Sequence, residues 1–329
     1  MTSSIAVFFL GGTISMTAAA GGATTRLDGS ALAASVPALA EMDVRLELHD
    51  AASVPSAALT FDAIADVVRS AIASDADGVV VVQGTDTIEE TAFLIDLLWQ
   101  AQTPVVVTGA MRTPSSPGAD GPANLLAAVT VAAAAEFRGM GALVAFADQV
   151  HAARWVRKTH TTSVTAFASP DAGPVGMLVE GTAVRLVSLD RLPTYAPTRR
   201  FDSRVPVLAI GMDDGGELLA GVEDHCDGLV VAGLGAGHVP PSLAEPLGAL
   251  AKQMPVVLAS RAAAGPVLSR TYGSAGSETD LLGRGLLHAG LLDAFKARTL
   301  VRVALASGLD RPGVAAAFAV VGGWTRTPR

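Results

Sequence analysis

The stretch VVVVQGTDTIEET at residues 79–91 runs four consecutive valines into a Gly-Thr-Asp-Thr turn and then into a segment with helical spacing. Unbroken β-branched residues suit a strand buried on both faces, the habit of parallel strands. The continuation places Ile88, Ala92, Ile95 and Trp99 on one stripe, and Thr87 answered by Glu90 predicts a capping box at its start. Thr85 and Asp86, a hydroxyl beside a carboxylate, therefore stand at a strand's carboxyl end. In open α/β sheets the crevice outside those ends is where ligands bind. The arrangement repeats in IAVFFLGGTIS at residues 5–15, where a strand meets Gly11-Gly12 and then Thr13. Two threonines on two strand-end turns mark a site.

Working outward, short apolar runs alternate with segments of helical length, the pattern of βαβ units around a mostly parallel sheet. Strands are expected at 5–10, 44–49, 78–83, 104–109 and 141–147, and helices at about 30–40, 61–74, 88–101 and 120–135. Pro122 suits the first turn of the fourth helix. Residues 173–189 alternate around Gly181 and predict a β-hairpin closing the first domain, 1–189. Residues 190–205, rich in Pro and Arg, are the expected linker, and 206–329 a smaller C-terminal α/β domain with strands in PVLAIGM, GLVVAGLG and PVVLAS and a last helix at about 293–307. The segment 15–29, rich in Gly, Ala and Thr, is either a flexible connection or a lid.

Composition narrows the function. With 329 residues, half of them hydrophobic and 16% charged, the chain can bury two cores, yet no apolar run approaches the roughly 18 residues that span a bilayer. No membrane partner is expected. The N-terminus has no basic n-region or small-residue cleavage pattern, so it reads as a core strand of a cytoplasmic protein. The lone Cys226 excludes an intramolecular disulfide, and a net charge of -8 argues against nucleic acid. The six histidines are scattered without paired spacing, which predicts no metal. GLGAGHVPP at 233–241 lacks the third glycine of a dinucleotide fingerprint, and no GxxxxGK[ST] occurs, so no cofactor is expected.

A threonine hydroxyl needs a base before it can attack a carbonyl. Asp86 is adjacent to Thr85, and Lys158, in ARWVRKTHTTSVTAF after the strand at 141–147, can reach the same sheet end. Backbone N–H groups of Gly12, Thr13, Gly84 and Thr85 are suited to form an oxyanion hole.

LGGTIS at 10–15, QGTDTIEETA at 83–92, VTGAMR and ADGPANL between 107 and 125, and RKTHTT at 157–162, with KAR at 296–298, resemble the bacterial-type asparaginase and glutaminase amidohydrolases over nearly the whole length. The resemblance implies hydrolysis of a side-chain amide to a carboxylate and ammonia through an acyl-enzyme on a threonine, without a cofactor. It assigns Thr13 as the usual nucleophile, and Thr85, Asp86 and Lys158 as the accompanying group. Ser56 then holds the substrate's α-carboxylate and Asp86 its α-ammonium, while Gly84 and Ala110 contribute to the substrate pocket. Glu278 reaches a neighbouring subunit's substrate, in a homotetramer built from dimers.

Lys158 carries a conflict, because a base must be neutral, with a pKa brought from about 10.4 toward roughly 7 to 8, whereas an ionised Asp86 pushes it upward. The family's lid tyrosine is missing: its place falls on Arg26 or a neighbour, a permanent cation that cannot take a proton, which raises Thr85 as nucleophile. Tyr272, six residues before Glu278, is the alternative activator. Ala57 follows Ser56 where a Gln or Glu is usual, and His238 stands where Asn is frequent. The expected substrate is L-asparagine. The alternatives are glutamine, D-asparagine or another small amide, and, in a different class, an amino-acid-binding protein that has lost turnover. A role on charged transfer RNA fits poorly with the acidic charge.

Overall fold

A computed structural model of the chain describes residues 2–19, 22–26 and 28–323, with side-chain surroundings given for all of these except 15–19 and 22–26. The chain divides into two compact units, Met1–Thr194 and Tyr195–Arg329.

In the first unit β1 (Ser3–Phe9) is followed by a small antiparallel hairpin of β2 (Met16–Ala19) and β3 (Gly22–Arg26). This hairpin occupies the segment read as a connection or lid. Its Ala, Gly and Thr residues carry no alternation that would have announced strands. The helix expected at 30–40 is two short ones, α1 (Gly29–Ala34) and α2 (Ala38–Glu41), because Pro37 disfavours helical backbone at Val36. Then come β4 (Val44–Asp50), α3 (Phe61–Ala73), β5 (Gly78–Val82), α4 (Ile88–Leu98), β6 (Val105–Thr108), α5 (Gly121–Ala133) and β7 (Ala142–Phe146). The sheet continues through β8 (Gln149–Ala152), and a two-strand ribbon of β9 (Arg157–Lys158) and β10 (Phe167–Ala168) precedes β11 (Gly176–Val179) and β12 (Thr182–Arg185).

Eight strands form one sheet in the order β12-β11-β8-β7-β6-β5-β1-β4. From β4 to β7 all neighbours are parallel, and β8, β11 and β12 extend the sheet antiparallel. Glu180 and Gly181, both with positive φ (50° and 75°), make the tight turn of the β11–β12 hairpin, where Gly181 was expected. One face of the sheet, with Ile5, Val7, Phe9, Val80, Val82 and Val106, packs on Leu32 and Leu39 and on the buried side of α5. The predicted capping box at α4 does not form. Thr87 makes no cap; its Oγ1 instead donates to the Ser56 carbonyl (3.3 Å) and accepts from Gln83 Nε2 (3.2 Å).

The second unit holds four parallel strands, in the order β13 (Val207–Ala209), β14 (Leu229–Gly233), β15 (Val256–Ser260) and β16 (Leu287–His288). Its helices are α6 (Val222–His225), α7 (Ala244–Gln253), α8 (Glu278–Gly283), α9 (Ala294–Ala306) and α10 (Arg311–Val321). Leu229, Val231 and Leu258 meet Leu243, Leu247, Leu250 and Leu281 in its core. The helix expected at 293–307 is α9, but it is not the last. Gly308, at φ 80°, ends it, and Asp310 caps α10 through Gly313 N (2.9 Å). The whole is a mixed α/β architecture with a large, mostly parallel sheet and a smaller C-terminal α/β unit.

Candidate active site

Strand order locates the site. From β1 the chain passes to β4 on one side and returns on the other side as β5, so the order reverses between β1 and β5. A crevice opens at the carboxyl ends of such a pair. Phe9 lies opposite Val82, and Leu10 N donates to Val82 O at 2.8 Å, so the two strands deliver their turns level with one another.

The turns touch backbone to backbone. A Cβ added to Gly12 (φ +96°) would fall 2.2 Å from Gly84 N and 2.3 Å from Gly84 Cα, which no side chain tolerates. Thr13, half-buried, follows at once in a 3-10 turn, Thr13–Ser15. On the other strand Thr85 opens a 3-10 turn, Thr85–Thr87, that runs into α4.

Lys158 closes the group from β9. Its Nζ donates to Thr85 Oγ1 at 2.9 Å and to Asp86 Oδ1 at 2.7 Å. Its side chain is 15% exposed against 71% for Asp86, and Thr85 is buried. The backbone of Lys158 is itself held, since its N–H donates to Glu89 Oε2 at 2.8 Å, on the first turn of α4. A hydroxyl, an amine within proton-transfer distance of it and a carboxylate that orients the amine constitute the arrangement that activates a nucleophile. Glu89 was not foreseen: its partner is 69 residues away, a separation that local pattern does not report.

Ser56 lies beside this turn. It is 4% exposed, and a Cβ on Gly84 would fall 2.8 Å from its Oγ, so glycine is required for the two to meet. The Thr87 hydroxyl bonds the Ser56 carbonyl and ties the two segments together. Ala110 is buried and adjoins Gly109, whose added Cβ would sit 2.4 Å from Gln83 O and 3.4 Å from Thr85 Cγ2. The ADGPANL residues brace this loop. Asp120 accepts from Met111 N and Arg112 N (2.9 Å each), and Asn124 donates to Gly109 O (3.0 Å) and accepts from Ala147 N (3.0 Å). Thr13, Ser56, Gly84, Thr85, Asp86, Ala110 and Lys158 thus gather around one strand-end crevice.

Glu278 and Tyr272 belong to the second unit. Glu278 is fully buried, and its Oε1 accepts from Thr271 N (2.9 Å) and Tyr272 N (2.8 Å), while Oε2 lies 3.5 Å from His238 Nε2. Burial pushes this carboxyl upward, but the two backbone N–H groups and the nearby His238 more than offset it and hold the pKa below the usual value. The Tyr272 ring, half-exposed, meets His238 edge-on at 4.8 Å. The backbone of Arg26 ends β3; its side chain lies outside the described residues.

Comparison with known proteins identifies the family. Residues 4–189 match the family model "Asparaginase, N-terminal", and residues 204–318 match "Glutaminase/Asparaginase C-terminal domain". A probable L-asparaginase of Deinococcus radiodurans is 39% identical over 289 residues, covering 86% of this chain and 88% of that one. An L-asparaginase of Bacillus licheniformis is 32% identical over 318 residues, covering 93% and 97%. The crystal structure of a probable cytoplasmic L-asparaginase from Campylobacter jejuni superposes with a TM-score of 0.86 at 31% identity, covering 97% of this chain and 99% of that one. With both domain models matched in order along one chain, and the signature threonines on touching strand-end turns, the protein belongs to the asparaginase family.

Proposed function

We propose that the protein is an amidohydrolase that converts L-asparagine to L-aspartate and ammonia. The observation that carries this is Lys158 Nζ bridging Thr85 Oγ1 and Asp86 Oδ1 beside the Gly12–Gly84 contact. The names of its relatives supply the substrate. A threonine Oγ attacks the side-chain amide carbon, the C–N bond breaks, and the hydroxyl proton passes through Lys158 to the departing ammonia. Water then cleaves the resulting ester and restores the threonine. Backbone N–H groups of Thr13 and Thr85 stabilise the oxyanion, each worth about 3 to 4 kcal/mol in comparable acyl transfers. Asp86 takes the substrate ammonium and Ser56 its carboxylate.

Thr13 is the assigned nucleophile, as the family resemblance implies. The second reading gives that role to Thr85, whose hydroxyl is the one bonded to Lys158. Acid quench during turnover of L-asparagine, followed by peptide mass mapping, separates them: an aspartyl ester on Thr13 supports the first, one on Thr85 the second, and no ester in a working enzyme refutes covalent catalysis.

The proposal extends to a cytoplasmic homotetramer whose domains, 1–189 and 206–329, are joined by a linker at 190–205, with Glu278 acting on a neighbouring subunit's substrate and Tyr272 as the candidate activator in the absence of a lid tyrosine. A folded monomeric variant that retains full activity would exclude that use of Glu278.

A further inference from the structure

We propose that Gln83 is a positioning residue that aims the Thr85 N–H at the reacting carbonyl; this rests on the oxyanion role given to that N–H above. Gln83 is fully buried and immediately follows β5, whose last four residues are valines. Its Nε2 donates to Gly84 O and to Thr87 Oγ1, both at 3.2 Å, and its Oε1 accepts no hydrogen bond among the described residues. The nitrogen, not the oxygen, must face Gly84, because a carbonyl there accepts only from a donor. Burying an amide with one end unbonded is unfavourable, and Met or Leu would fill comparable space without that cost. The side chain therefore has a task other than filling volume.

The task follows from peptide geometry. Gly84 C=O and Thr85 N–H belong to one planar trans peptide and point in opposite directions. By drawing the Gly84 carbonyl toward the core, Gln83 turns the Thr85 N–H away from the core, toward the crevice. That N–H opens a helical turn, so the turn offers it no carbonyl. Gly84 sits at φ -67° and ψ 147°, and because a glycine can turn this peptide to other ψ values at little steric cost, the hydrogen bond from Gln83 selects the orientation. Thr108 O, accepting from Gln83 N at 3.0 Å, fixes the strand end from which the side chain reaches.

The test compares full-length wild type, Gln83→Met, Gln83→His and Thr85→Ala for kcat and KM on L-asparagine, together with thermal unfolding. Gln83→Met is expected to lose about 10- to 100-fold in kcat with KM within about twofold, since the N–H meets full negative charge only in the transition state. Gln83→His keeps a ring N–H and is expected to recover most of that loss. An inactive wild type, or an active Thr85→Ala, would sink the underlying site instead. With those two controls as expected, a wild-type kcat in Gln83→Met overturns the positioning role. So does a loss of kcat that only tracks a fall in unfolding temperature. Should Gln83→Met fail to fold, Gln83→His is set against Gln83→Asn, whose amide is one methylene short. A higher kcat in the histidine variant supports the role, and equal values overturn it.

Discussion

Gly12→Ala tests whether the two signature turns must touch. The new methyl would lie 2.2 Å from Gly84 N and 2.3 Å from Gly84 Cα, whereas ordinary contact begins at 3.4 Å. Both obstacles are backbone, so no side chain can swing aside, and the turns must part by roughly 1 Å. Two costs add. Overpacking is worth about 1 to 3 kcal/mol, and an L-residue at φ +96° adds about 1 to 2 kcal/mol. The displacement carries the larger functional effect, because misplacing reacting groups by about 1 Å costs on the order of a hundredfold in rate. Ammonia release from L-asparagine, with thermal unfolding alongside, measures both. Gly181→Ala is the control: it has φ +75° but nothing within 4 Å of the added methyl. It should lose only the backbone term, about 1 to 2 kcal/mol, and keep full activity. If Gly12→Ala turns over asparagine within a few-fold of wild type while folded, the contact between the turns is not what assembles the site.

Thr13→Val and Thr85→Val should each lower turnover at least about a hundredfold with little change in stability, and near-normal rates in both would refute the site. Lys158→Met should lose at least about a hundredfold in kcat, and Lys158→Arg should not restore it, because a guanidinium keeps the charge but cannot take the proton. Activity in the arginine variant would reduce Lys158 to an orienting cation. His151 is 1% exposed, its Nδ1 lies 3.0 Å from Ser169 Oγ, and burial pushes its pKa from 6.5 to about 4. Since the unfolded chain binds a proton there that the folded one refuses, stability should fall as pH drops from about 6.5 to 4, by up to about 3 kcal/mol. Denaturant titrations across that range should show the slope in wild type and a shallower one in His151→Gln. Equal slopes would mean that His151 does not supply the pH dependence.

The sheet was legible because strands buried on both faces leave continuous apolar runs, as in Val79 to Val82 and Val105 to Val107. The hairpin at 16–26 was not, since Ala, Gly and Thr pair through their backbone without an apolar alternation. Val36 and Pro37 carried the signal that splits the helix expected at 30–40, as Gly308 and Asp310 carried that for α10. The capping box failed for a reason no local pattern holds: the Thr87 hydroxyl is taken by a residue 31 positions away.

For the site, strand-end placement marked Thr13, Thr85 and Asp86. Lys158 stands 72 positions from Asp86; its place after the strand at 141–147 made it a candidate, and the family resemblance supplied its role. Gln83 and Glu89 stood inside the same signature, but their tasks depend on where a carbonyl points and on a strand far along the chain. Those are properties of the folded backbone.

In the proposed reaction this crevice hydrolyses asparagine through the threonine group held by Lys158. Its most direct test is steady-state ammonia release from L-asparagine, L-glutamine and D-asparagine by purified wild type and Thr85→Ala. Wild type should turn over, fastest with L-asparagine, and the variant should lose at least about a hundredfold. Absence of turnover by a folded wild type that still releases heat on binding aspartate would contradict it and make the protein an amino-acid binder.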